Sequence, residues 1–164
     1  MNSRKVSSSF LRGLQRSREE AFKDCSKLST IKIPDGVTSV GEGAFKGCLN
    51  LDIANWPEGA TTIPRYVFSD CGLTAIAIPD SVTKIEEEAF KNCTKLASVT
   101  GGTNVETVGK YAFYNCDALT GITISDKTTS IGAYCFADCE KLANVKLGTG
   151  LTDIPAYAFD LCSA

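Results

Sequence analysis

The sequence predicts an α/β repeat fold, a right-handed solenoid of about six 23-residue units, each made of a strand, a turn and a short helix. Two observations carry this. Phenylalanine recurs at Phe22, Phe45, Phe68, Phe90, Phe113, Phe136 and Phe159, in steps of 23 residues with a single step of 22. A cysteine follows three residues after each, at Cys25, Cys48, Cys71, Cys93, Cys116, Cys139 and Cys162. A fixed period in the low twenties marks a solenoid, in which a unit buries its apolar face only against its neighbours.

Each element follows from the residues in order. Leu28, Ile31 and Ile33 have the spacing L-x-x-I-x-I, which ends in strand alternation. Ile33 and Ile78 then point inward. Pro34, Pro57 and Pro79 stop the strand, because proline cannot donate to a ladder. Gly102, Ser125 and Gly148 stand there in later units and favour a turn. Val37 and Val40 come next, repeated as Val82 and Ile85, Val105 and Val108, and Leu151 and Ile154; these are the inward points of a crossing segment. The Phe segment is expected to be a short helix. Pro64 and Pro155 precede it at a favoured first helical position, and Thr83 with Glu86, like Ser17 with Glu20, has capping-box spacing. Two units depart from the pattern. Ala54 and Trp56 replace two aliphatics, a small residue beside a large one that keeps volume. Cys71-Gly72-Leu73 is one residue short, which glycine can absorb.

The chain has 164 residues and a net charge of −2, so it offers no general basic field to nucleic acid. No apolar stretch approaches the roughly 18 residues of a membrane span. The expected domains are a basic helical cap over residues 1–19 and the solenoid over 20–164. The first 18 residues hold five basic residues and no acid. They lack the apolar core of a secretory signal, and their Arg- and Ser-rich composition also fits an organelle transit peptide. In the cap reading, Phe10, Leu11, Leu14, Ala21 and Phe22 fall near one side of a helix, while Arg12, Arg16 and Arg18 face solvent. Seven of the eight cysteines share one repeat slot. Strands about 4.8 Å apart would hold parallel Cys side chains too far apart, and wrongly turned, for the roughly 3.8 Å Cβ separation of a disulfide. Reduced, buried thiols acting as small hydrophobes are expected, and with them an intracellular, reducing compartment, an organelle included.

Catalytic and metal chemistry find little support. The chain has no histidine, which removes Ser-His and Cys-His pairs and the commonest transition-metal ligand. Cys135 and Cys139 are spaced C-x3-C, but Cys135 fills an alanine slot of the repeat, and zinc would need further ligands. Glu86, Glu87 and Glu88 read as favourable dipole partners at a helix start. Gly41 to Gly47 lacks phosphate-loop spacing. Asn92-Cys93-Thr94 is a formal glycosylation sequon inside the packed segment. No catalytic residue, metal site or cofactor is expected.

Two stripes and one edge are the candidates for contact with a partner. The strand face presents Thr30, Lys32, Asn55, Thr100, Thr123, Asn144 and Lys146 among small, nearly uncharged residues. The second stripe is Tyr66, Tyr111, Tyr134 and Tyr157, two residues before four of the phenylalanines; these rings either shield the Phe layer or bind a partner. The edge is that of the last strand, about Leu142 to Leu147, expected to be unpaired and open to association.

The unit Ile76-Ala77-Ile78-Pro79-Asp80-Ser81-Val82-Thr83-Lys84-Ile85, followed by Ala89-Phe90-Lys91-Asn92-Cys93, closely resembles the BspA-like, or Treponema-pallidum-type, leucine-rich repeats. The resemblance runs from about Glu20 to the C terminus. It implies a curved leucine-rich-repeat solenoid with parallel strands on its concave face, no catalytic motif, and relatives among surface proteins implicated in adhesion. The Asn ladder that follows the strand in the more familiar leucine-rich repeat is missing. The function expected is a non-catalytic protein–protein interaction module, with no nucleic acid and no membrane span. The alternatives are a structural or assembly subunit of a larger complex and, by resemblance, cell-surface adhesion.

Overall fold

A computed structural model describes residues 18–34 and 36–163. The expected cap thus lies, up to residue 17, outside the described residues, as does Ser17 of one capping pair; its described end is not helical, since residues 19–24 form turns, Ala21 is exposed and Phe22 donates its N–H to Ala44 of the next coil. The described chain is a β-solenoid. Its first wall is built from β1 (Thr30–Ile31), β2 (Ile53–Ala54), β4 (Ala75–Ile78), β6 (Ser98–Gly101), β8 (Gly121–Thr123) and β10 (Asn144–Lys146). Its second wall is built from β3 (Thr62–Ile63), β5 (Lys84–Ile85), β7 (Thr107–Val108) and β9 (Ser130–Ile131). All pairing is parallel and joins neighbouring coils. The walls differ in continuity. The second is one four-stranded sheet, β3-β5-β7-β9; the first is three separate pairs, β1-β2, β4-β6 and β8-β10.

The turn after the first strand falls where Pro and its substitutes place it. Val37, Ala60, Val82, Val105, Thr128 and Leu151 each donate an N–H to the carbonyl three residues back, at Pro34, Pro57, Pro79, Gly102, Ser125 and Gly148. Ile33, Ile78, Val37, Val40, Val82, Ile85, Val105 and Val108 are buried as expected, whereas Ile154 of the last coil is half exposed.

The expected short helix does not form: no helix occurs among the described residues. The Phe segment is a run of turns, and its hydrogen bonds explain why. In the coil of Phe68, Val67, Ser69 and Cys71 donate locally to Pro64, Tyr66 and Phe68. The alternate groups, Tyr66, Phe68 and Asp70, donate sideways to Glu87, Ala89 and Lys91 of the next coil. An α-helix sends every N–H along its own axis, so a segment that ladders to its neighbours at every second residue cannot be one. Tyr66 and Asp70 adopt φ values of 59° and 60°, which is what a turn with its third residue left-handed demands. The capping pair dissolves accordingly. Thr83 Oγ1 donates to Thr61 O of the previous coil, and Glu86 accepts from the N–H of Arg65.

The phenylalanines form the spine of the core. All six successive pairs from Phe22 to Phe159 stack, with ring centroids 5.0–5.6 Å apart and planes within 20°, a favourable aromatic separation. Trp56 is buried and meets Phe68 edge-on at 5.7 Å. Its indole N–H has no hydrogen-bond partner.

The cysteines do more than fill space. Each thiol from Cys48 onward in the repeat slot donates to the main-chain oxygen of the phenylalanine one coil earlier: Cys48 to Phe22, Cys71 to Phe45, Cys93 to Phe68, Cys116 to Phe90, Cys139 to Phe113 and Cys162 to Phe136, at 3.0–3.3 Å. The expectation that all seven are buried fails at the two ends of the stack, where Cys25 is exposed and Cys162 only partly buried. All eight are free thiols. Burial pushes the Cys48 thiol up to about 11 and those of Cys93 and Cys139 up to about 12. The same cause raises Cys71, Cys116, Cys135 and Cys162.

Candidate functional site

The turn run determines which side chains face outward. It has two left-handed positions per coil, four residues apart. The second is held by Asp24, Gly47, Asp70, Asn92, Asn115, Asp138 and Leu161, largely residue types that tolerate positive φ. The first is held by Glu20, Gly43, Tyr66, Glu88, Tyr111, Tyr134 and Tyr157. Tyrosine gains nothing there from local conformation: a left-handed backbone costs a residue with a bulky side chain roughly 1–2 kcal/mol.

Three of these rings form a ridge. Tyr111 stacks on Tyr134 at 5.1 Å, and Tyr134 on Tyr157 at 4.9 Å with planes 8° apart. Tyr114 closes edge-on against Tyr111 at 5.5 Å. Tyr157 is 58% exposed at the end of the row. Tyr66 stands apart, because Glu88 takes the intervening slot. Cations lie over the rings: Lys46 is 4.8 Å from the Tyr66 centroid, Lys110 4.8 Å and Lys91 5.3 Å from that of Tyr111. A hydrogen bond to Asp138 raises the Tyr114 hydroxyl above its ordinary pKa, and burial raises that of Tyr134. The acid run beside the ridge consists of ion-pair partners, not helix-dipole partners: Glu86 binds Lys84, Glu87 binds Arg65 and Glu88 binds Lys91, at 2.9–3.1 Å.

The strand-face candidates divide. Thr30, Lys32, Thr100, Thr123, Asn144 and Lys146 are exposed. Thr123, Asn144 and Lys146 line one shallow groove over β8 and β10, with Thr100 on the adjoining strand β6. Asn55 is not an outward contact. Its amide accepts from the N–H of Ile33 at 2.9 Å and donates to the Ile33 carbonyl at 3.0 Å, standing in for a strand peptide. In the last coil Val145, Leu147 and Ile154 are exposed.

A polar ladder escaped the sequence reading. Asn115 Nδ2 donates to Asn92 Oδ1 at 3.0 Å, and Asn92 Nδ2 donates to Asp70 Oδ1 at 2.8 Å. The signal was the recurrence of Asp, Asn or Gly immediately before the slot cysteine. Asn92 of the sequon is thereby engaged on both amide atoms. Cys135 is buried in its alanine slot. Among the described residues no group of three or more His, Cys, Asp or Glu is placed to hold a metal ion, and no helix is long and apolar enough to cross a membrane.

A solenoid of parallel two-walled coils, threaded by one aromatic stack and displaying an outer ridge, defines a repeat protein with extended surfaces. The chain belongs to the BspA type leucine-rich repeat family, whose model matches six copies over residues 2–72 and 61–164. Proteins built of these repeats are in general non-catalytic interaction modules. Three solved structures are similar. A leucine-rich repeat protein from Bacteroides ovatus shares 31% identity over 82% of this chain and 42% of its own, with a TM-score of 0.63. A leucine-rich cell surface protein from Faecalibacterium prausnitzii shares 26% identity over 93% of this chain and 50% of its own, with a TM-score of 0.68. The leucine-rich repeat protein of T. pallidum shares 25% identity over 92% of this chain and 61% of its own, with a TM-score of 0.64. The chain thus spans about half the length of these relatives. No curated protein matches it.

Proposed function

We propose that the chain is a non-catalytic protein-binding module whose principal contact surface is the ridge Tyr111–Tyr134–Tyr157, with Tyr66 and its flanking cations as an outlying part. The observation that carries this is the positive φ of all four tyrosines. Gly43 fills the same slot without strain and Glu88 fills it with an ion pair, so the repeat needs no ring there. Stacking on neighbours fixes the rings in advance, which lowers the entropy lost on binding. Tyrosine also joins an apolar body to a polar tip, the chemistry that interfaces favour. Thr100, Thr123, Asn144 and Lys146 form a secondary surface on the strand wall, and the outer edge of β10 fits a partner strand or a further coil of like repeats. The coil is taken as right-handed, the hand that parallel crossovers adopt.

The test replaces Tyr111, Tyr134 and Tyr157 together with asparagine, which tolerates the left-handed backbone. Crosslinked partners of the wild type, captured from cells that express it and identified by mass spectrometry, should be lost with this variant. They should survive Glu58→Ala, an exposed position outside both surfaces. Retention of the partner by the triple variant would refute the ridge reading.

A second reading is adhesion at a cell surface, favoured by the description of the Faecalibacterium prausnitzii relative as a cell surface protein. Buried, hydrogen-bonded thiols stay unpaired for geometric reasons in either compartment, so they do not oppose it. Antibody labelling of intact against permeabilised cells separates the surface reading from an intracellular one. Recovery as a free monomer, and not within a complex, separates a binding module from an assembly subunit.

A further inference from the structure

At or just after the first strand, one register position holds a large apolar residue in five coils: Ile33, Trp56, Ile78 and Ile124, all buried, and Leu147, exposed in the last coil. In the remaining coil the position is Gly101, which pairs in register with Ile78. The substitution is not a trimmed side chain in an unchanged backbone. Gly101 and Gly102 adopt φ values of 78° and 68°, and a Cβ on Gly101 would lie 2.1 Å from the carbonyl oxygen of Ile78. The bend therefore excludes any side chain from the slot that its neighbours fill.

A cavity of about 350 Å³ occupies this region, walled by Ile78, Val99, Val105, Phe113, Ile122 and Ile124. No charged side chain lines it. Thr100 and Thr123, both exposed, stand at its rim. The first wall is also broken here, since β6 pairs with β4 and β8 with β10 but no ladder joins β6 to β8. Missing side chain, half-open cavity and open seam coincide at one place. Apolar cavities of roughly 150 Å³ stay dry and accept a benzene-sized guest, and ligand pockets begin at roughly 300 Å³.

We propose that this cavity is a binding site for a small, neutral, largely apolar molecule carrying one hydrogen-bonding group, such as an aromatic heterocycle or a medium-chain alcohol, which enters between β6 and β8. The apolar walls take its body. The Thr100 and Thr123 hydroxyls and the unpaired strand edges take its polar end. The absence of charge among the lining residues selects against ionised ligands. The site is separate from the tyrosine ridge and stands whether or not that ridge binds protein.

Indole and 1-octanol are the probes. Either should raise the Tm of the wild-type protein by about 3–5 °C at ten times its Kd, and decanoate at neutral pH should not. Val99→Phe, which directs a ring from the wall into the cavity, should abolish the shift. In amide NMR spectra, indole should move the Gly101, Gly102, Thr123 and Ser125 resonances; this map decides alone if Val99→Phe does not fold. No Tm rise with either neutral probe, an undiminished rise in folded Val99→Phe, or amide shifts centred away from Gly101 would each overturn the proposal.

Discussion

The Sγ of Cys93 lies 3.0 Å from the main-chain oxygen of Phe68 and donates to it across the coil boundary. The same oxygen accepts the N–H of Cys71, so one carbonyl ties its own turn to the next coil. The cysteine slot thus supplies a donor as well as volume. Cys93→Ala should lose about 2 kcal/mol, combining one hydrogen bond with a small cavity. Cys25→Ala, at an exposed position, should change stability by less than about 0.5 kcal/mol. Urea midpoints of the two variants check the contrast.

The thiols also set an alkaline limit. An unfolded thiol ionises near 9, whereas burial holds Cys93 and Cys139 protonated up to about 12. Between these values the folded state keeps protons that the unfolded state has released, so stability is whole below pH 9 and falls as pH rises toward 12. Each such thiol contributes a slope of about 1.4 kcal/mol per pH unit. Denaturation measured from pH 8 to 11 should show the decline, and Cys93→Ala should make it shallower.

The amide ladder predicts an acid rescue. Asn92→Asp would set a carboxylate against that of Asp70, where the amide now donates at 2.8 Å. The variant should be destabilised by about 1–3 kcal/mol at pH 7. Repulsion raises the folded-state pKa of the pair, so the loss should shrink as pH falls below that raised value. A deficit that stays constant from pH 7 to 4 would show that the contact matters only sterically.

Phe90 is buried and stacks on both Phe68 and Phe113. Phe90→Ala should cost about 3–5 kcal/mol. Phe159, partly buried and stacked on Phe136 alone among the phenylalanines, should cost roughly half as much. Calorimetry of the Phe90 variant should also resolve two transitions, because a nearest-neighbour array divides where its coupling is cut. A single sharp transition at an unchanged midpoint would contradict the register of the spine.

The period of the core was legible because one residue type marks each layer: Phe45, Phe90 and Phe136 announce the coil wherever it lies. Pro34 and Pro79 likewise announce their turns, since proline's limits are local. The Phe segment misled for the opposite reason. Pro64, Thr83 and Glu86 carry helix-start signals that describe a segment in isolation, whereas Tyr66, Phe68 and Asp70 give their N–H groups to another coil. Asn55 was misplaced on similar grounds: its outward position in the pattern does not reveal that its amide returns to Ile33. The tyrosine stripe was visible as a column, but the backbone strain that singles it out has no sequence signature beyond Gly43 in the same column. Gly102 was visible as a turn residue, whereas Gly101 beside it carried no signal of its own; the void behind it required the walls.

The unequal walls make the molecule a spring with one stiff side and one segmented side. The four-stranded ladder resists any change in coil spacing. The opposite wall can open or close at its seams without breaking a strand ladder, so bending should concentrate between β6 and β8 and between β2 and β4, with the four-stranded ladder as the backing strip. Curvature is then an adjustable property of this solenoid, set by what presses against its segmented side.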